Sequence, residues 1–316
     1  MRIASVATHT LRARVSAVDS ASAALLASAG AVVAATALFA DRLDWPARNI
    51  AFARNGSFLL YVFLIIGQVA VWPVAIAWLW DDLQTLARRW RKNSRELIES
   101  LVIVAVASWA GLLAAAFGPK IPNYLPHHRE KLLLISGLGW VAGSIAASGI
   151  WLLHGEMKEL LARPVPGARE LEELLALRDK LQRFLAVSGS IIGLAILGAG
   201  AERNMISAYT AEFHVTGGFP IEYVLIYGLF FSALLAVVYF PTHLTLLALA
   251  ARLRDRYAPV PDLDGDGAWI DEWKRRAVLE DALSLKVGAS ASFKTGVAIL
   301  TPLIGSLTGL LLNVHG

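Results

Sequence analysis

The stretch Phe219 to Trp273 reads FPIEYVLIYGLFFSALLAVVYFPTHLTLLALAARLRDRYAPVPDLDGDGAWIDEW, and it decides the fold class. Tyr223 to Phe240 carries no charge and is long enough to cross the roughly 30 Å hydrocarbon core of a bilayer as an α-helix. Pro241 interrupts it, Arg252, Arg254 and Arg256 follow where a membrane surface would be, and the Asp-Gly cluster from Asp262 to Gly267 comes next. In this one segment the chain passes from lipid to headgroups to the only run of residues that suggests ligand chemistry.

The rest of the sequence repeats the first part of that pattern. Hydrophobic residues make up 56% and charged residues only 17% of the 316 positions, which is too apolar for an ordinary soluble domain. Charge-free runs of membrane-spanning length occur at Ala21–Ala40, Phe58–Trp80, Ser100–Gly118, Leu132–Leu153, Phe184–Ala201, Tyr223–Phe240 and Thr295–Leu312. None alternates apolar and polar residues as the strands of a membrane barrel do. The expectation is therefore an all-α, polytopic membrane protein with seven transmembrane helices, a single integral membrane domain over residues 1–316. It belongs in the plasma membrane, a cell inner membrane or another cell membrane.

Lys and Arg distribute unevenly between alternate loops. With the N-terminus inside, the inner segments hold roughly three times as many as the outer ones, so the expected orientation is N-terminus in and C-terminus out. The first run is the ambiguous one, because an Ala-rich segment behind a basic N-terminus, with Ala35-Thr36-Ala37 within it as a cleavage site, also fits a signal peptide. Its length favours a membrane helix. The net charge of +4 follows from basic inner loops, and nucleic acid is not an expected partner. The absence of cysteine excludes thiolate nucleophiles, palmitoylation, disulfides and cysteine-ligated metal sites together.

Residues 251–288 form the expected cytoplasmic loop, with an amphipathic interfacial helix from Ala268 to Lys286. Asp262, Asp264 and Asp266 take positions 1, 3 and 5 of a calcium loop and Gly267 takes position 6, so its first half resembles an EF-hand loop. Trp273 stands where the bidentate Glu belongs, and Ala258-Pro259-Val260-Pro261 cannot form the entering helix. Two readings follow: a Ca²⁺-responsive loop, and an Asp-rich turn that caps the next helix.

Gly139/Gly143, Gly189/Gly193 and Gly305/Gly309 are GxxxG spacings, which serve tight packing inside one bundle or a homo-oligomer interface. Gln68 is the main polar side chain near the middle of any run, Pro241 and His243 sit at the inner bend, and Pro302 breaks the last run. These four are the candidate gate or path residues. On the outer side, His127 and His128 follow a Pro-rich turn, and Glu202 to Phe219 reads as the most polar external loop, holding Glu212 and His214. Either could contribute to recognition or, with His315, to a metal site.

Several function classes lack their groups. There is no His-Glu-x-x-His, no phosphate-cradling Gly-rich loop with Lys, and no charge near the middle of a run for a proton relay. His154 and His243 are the only pair suited to bis-histidine haem ligation. Two classes remain: an oligomeric ion channel or permeation protein with a cation-responsive loop, and a non-enzymatic scaffold or sensor that docks a partner through its cytoplasmic amphipathic segments. An enzyme ranks behind both, since no nucleophile or acid–base pair stands out.

Overall fold

The computed structural model describes residues 19–90, 94–117, 125–163, 168–260, 269–283 and 285. The described chain is helical: α1 (Ser20–Phe39), a 3-10 turn (Arg42–Asp44), α2 (Ala47–Phe52), α3 (Gly56–Trp90), α4 (Ser94–Phe117), α5 (His128–Ala162), α6 (Ala168–Phe213), α7 (Ile221–Tyr257) and α8 (Trp269–Ala282). Five of these, α1, α3, α5, α6 and α7, are long and apolar enough to cross a membrane. The run Ser100–Gly118 falls within α4 up to Phe117, and the seventh run, with Pro302 and the Gly305/Gly309 pair, lies outside the described residues. So do Asp262, Asp264 and Asp266.

α6 is the axis of the bundle. At 1.5 Å per residue its 46 residues extend about 69 Å, roughly twice the hydrocarbon core. It packs on α3, α5 and α7, and 61% of its most apolar stretch is buried, against a third or less for the other four spans. Small residues explain how it lies so close to its neighbours: Gly189, Gly193, Gly198 and Gly200 are all buried on it. Glycine on α5 does the reciprocal work. A methyl at Gly149 would lie 2.0 Å from the Phe184 ring of α6, and one at Gly139 would lie 2.7 Å from the Trp72 ring of α3. The bundle is thus built by seating aromatic rings on bare helix backbone.

α1 packs along α3. Asp19 caps it, accepting the Ser22 N–H at 2.6 Å, and that bond holds the Asp19 carboxyl below its ordinary range. Pro73 lies inside α3 and has no N–H for the carbonyl of Val69 one turn earlier. Gly30 of α1 sits on that carbonyl, close enough that a methyl there would be 2.6 Å from the oxygen. The Cα hydrogens of Gly30 therefore face an acceptor that lacks its helical donor. At the other end of α1, Lys131 of α5 donates from Nζ to the Leu38 carbonyl at 3.0 Å and pairs with Asp41 at 2.5 Å, its ammonium 5.5 Å from the Trp45 ring. A cation on terminal carbonyls is what the helix dipole favours.

One sequence expectation changes here, and one is decided. The segment Glu202 to Phe219 is not an external loop for most of its length, because α6 continues to Phe213 and buries Glu202 within it. Of the two readings of Pro241, a break within one long helix or a helix end, the first holds: α7 runs through it to Tyr257, carrying Arg252, Arg254 and Arg256 on its last turns. Thr242 and Thr245 bond back to the Val238 and Pro241 carbonyls, so hydroxyls occupy acceptors around the missing N–H.

Candidate functional site

Three polar residues stand in one stripe along α3. Tyr61, Gln68 and Trp72 are seven and four positions apart, which returns them to the same helix face. All three are buried, and the Tyr61 hydroxyl, the Gln68 Oε1 and the Trp72 Nε1 have no hydrogen-bond partner among the described residues. Gln68 is 5% exposed and turns toward α6, where a methyl on Gly198 would lie 2.9 Å from its Oε1 and 3.3 Å from Ile65. The hydroxyl of Ser188, on the same side of α6 as Gly198 and Glu202 by helical period, is likewise buried without such a partner.

Above Gln68 lies a buried pair. His128, the first residue of α5, and Glu202 of α6 are 3% and 7% exposed, and their Nε2 and Oε1 atoms are 3.3 Å apart. The His128 ring also lies against Tyr61, centroids 6.0 Å apart. What aims His128 inward is the residue before it. His127 has φ 52°, in the left-handed region that costs a non-glycine residue, and this strained turn starts α5. Tyr61, His128, Glu202 and Gln68 therefore line one seam where α3, α5 and α6 meet.

Both ends of the seam are closed. On one side Tyr209 donates to Asn49 at 2.8 Å, and Phe52 packs edge-on against Tyr209, Phe58 and Phe213, forming an aromatic cap over the last turns of α6. On the other, the α3 stripe becomes apolar at Leu79 and Leu86, both fully buried. The polar half of the interior is thus separated from the opposite surface by a hydrophobic plug.

Of the candidate path residues among the described ones, Gln68 alone falls on this seam. Pro241 is within α7, and His243 stacks on Tyr239 with centroids 5.3 Å apart, its Nδ1 3.3 Å from the Tyr239 hydroxyl. His154 instead contacts the Thr245 hydroxyl at 3.2 Å. His243 and Thr245 are two positions apart on one helix and point to opposite sides, so the histidine pair does not converge on one site. Among the described residues no group of three or more His, Asp or Glu side chains is arranged to hold a metal ion.

Glu202 and His128 are the residues that sequence reasoning misplaced. The signal for Glu202 was available: Met205, Ile206, Tyr209 and Phe213 continue the apolar helical spacing beyond the charge. The chain matches no family model, no curated protein and no solved structure.

Proposed function

We propose that the chain is a multi-pass permeation protein for small cations, with the seam from the His128–Glu202 pair through Tyr61 to Gln68 as the binding half of its path. One observation carries this reading. The Gln68 amide oxygen sits in the middle of an apolar bundle without a hydrogen-bond partner among the described residues. Leaving such a group unsatisfied costs about 1–3 kcal/mol, so its retention at a helix–helix contact argues for something that moves through and meets it. The other groups on the seam are the Tyr61 hydroxyl, the Glu202 carboxyl and the His128 imidazole. An oxygen-rich lining suits protons and hard cations.

Leu79 and Leu86 then act as a hydrophobic constriction that gates by excluding water, and the described form is closed. The N-in, C-out orientation, homo-oligomeric association through the Gly305/Gly309 face and control by Ca²⁺ at Asp262, Asp264 and Asp266 belong to the same reading. The scaffold reading draws instead on α8, whose Trp273, Ile270 and Val278 stay exposed.

The test is flux of K⁺, Na⁺ and H⁺ into proteoliposomes. Wild type should conduct at least one of them, and Gln68→Leu, which keeps the volume and removes the oxygen, should lower that flux about tenfold. Unchanged flux in Gln68→Leu removes the seam as the path. No flux from folded wild type, with and without calcium, removes permeation and leaves the scaffold reading.

A further inference from the structure

Outside the seam, the described residues form a cleft of about 280 Å³ between the inner ends of α4 and α5, lined by Arg95, Glu99, Trp151, His154, Lys158 and Glu159 among others. We infer that this cleft is a binding site for one phospholipid with a zwitterionic, primary-amine headgroup.

Position comes first. Glu99 is the last charge before the apolar run of α4, and His154 is the first titratable residue after the apolar run of α5. The cleft therefore lies where both helices leave the hydrocarbon, at headgroup level. Geometry comes second. Trp140 of α5 donates from Nε1 to the Ser108 hydroxyl of α4 at 2.8 Å, and that hydroxyl donates onward to the Val104 carbonyl. This clamp holds the two helices about 13 Å further along from Glu99, nine residues at 1.5 Å each. α4 rests chiefly on α5 and hardly touches α3, so on the headgroup side of the clamp the pair opens into a groove. Ile98 and Val102 are exposed on the flank of α4 next to Arg95 and Glu99, an apolar surface suited to acyl chains, and the Trp151 ring lines the cleft on its membrane side.

Charge selects the headgroup. Two cations and two carboxylates line the cleft, so a purely anionic headgroup would meet Glu99 and Glu159 as well as Arg95 and Lys158. Lys158 is exposed and makes no ion pair among the described residues, whereas Arg95 is 3.0 Å from Glu99. A phosphodiester between Lys158 and Arg95 places a following ammonium at the carboxylates. A primary ammonium can donate hydrogen bonds to them, and a quaternary one cannot.

The experiment is native mass spectrometry of the full-length protein released from micelles and titrated with dioleoyl phosphatidylethanolamine, phosphatidylcholine or phosphatidylglycerol. The expected result is one retained phosphatidylethanolamine, held at least tenfold more tightly than the other two. Lys158→Gln and Glu99→Gln should each weaken it about tenfold, and Thr85→Ala, on the exposed surface of α3, should not. Every variant is accepted only if it elutes as wild type. Equal retention of all three lipids, or retention unaffected by both Lys158→Gln and Glu99→Gln, overturns the site. Preference for phosphatidylglycerol overturns the zwitterionic assignment. Displacement of the lipid by millimolar inorganic phosphate or free phosphoethanolamine overturns a lipid as the occupant, and failure of either soluble compound to displace it supports one.

Discussion

The side-chain oxygen of Gln68 rests against Gly198, so that the α3–α6 contact is made by an amide on one helix and bare backbone on the other. Any side chain at position 198 enters the space in front of that oxygen. Gly198→Val should therefore cut cation flux through proteoliposomes about tenfold while the protein still folds. The atoms it meets are the ends of the flexible Gln68 and Ile65 side chains, and the expected loss of stability is about 1–3 kcal/mol. Gly67→Ala, one residue from Gln68 and with open space around it, is the control. It should leave flux unchanged and stabilise α3 by roughly 0.5–1 kcal/mol, as alanine does in place of a helical glycine.

The His128–Glu202 contact predicts an asymmetry between two variants. His128→Ala leaves a buried carboxyl without its neighbour and should lower stability by about 1–3 kcal/mol, read as a fall in the unfolding temperature in detergent. Glu202→Gln keeps an oxygen in place for His128 and should fold nearly as well, yet lower cation flux because the charge is gone. If Glu202→Gln conducts like wild type, the pair is structural only.

How much of this was legible in the sequence differs from residue to residue. The five spans α1, α3, α5, α6 and α7 were readable because a charge-free run of that length has few alternatives to a membrane helix. Gln68 was readable for the same reason, as a polar residue in the middle of such a run. Glu202 was readable only from the helical spacing of Met205, Ile206, Tyr209 and Phe213, because a hydropathy run ends at the first charge although α6 continues for three more turns and buries that residue under the aromatic cap. His128 follows a Pro-rich turn and reads as interfacial, and only the left-handed backbone of His127 points it inward. Pairings between distant helices, such as Gly139 with Trp72, depend on register in three dimensions that no local pattern carries.

The same is true of Gly30, whose role depends on Pro73. Because the atoms facing it are the Val69 carbonyl and the Ala70 Cα, which are backbone and cannot swing aside, even Gly30→Ala should be costly. The expected loss is about 1–3 kcal/mol, measured as a lower unfolding temperature. Pro73→Ala restores the N–H to the Val69 carbonyl and takes away the acceptor that Gly30 meets, without relieving the clash. The double variant should therefore remain less stable than Pro73→Ala alone, by about as much as Gly30→Ala costs in the wild type.

Arg276 predicts the behaviour of α8. It is buried, donates to the Ala258 carbonyl at 2.7 Å and pairs with Asp255 at 2.8 Å, fixing α8 to the end of α7. Leu279 and Leu283 add apolar contact on the same side of α8. Among the described residues, Arg276→Ala removes one of three polar anchors of α8, beside Arg254 on Glu280 at 3.3 Å and Arg178 on the Ala282 carbonyl at 3.4 Å. In limited proteolysis with chymotrypsin, cleavage at Trp269 and Trp273 should accelerate about tenfold, with the membrane helices still protected. Equal rates would mean that Leu279, Leu283 and the Arg254 and Arg178 contacts hold α8 without Arg276.

Orientation can be read directly because the chain has no cysteine, so any single introduced thiol is the only one to label. Ser207 is exposed near the end of α6, and Thr85 is exposed near the far end of α3. With the excess of Lys and Arg inside, Ser207→Cys should react with a membrane-impermeant maleimide in intact cells, and Thr85→Cys should react only after lysis. The reverse pattern would invert the bundle. It would put the aromatic cap and the His128–Glu202 pair on the cytoplasmic side, and a cation entering from outside would meet the Leu79–Leu86 plug before the polar half of the seam.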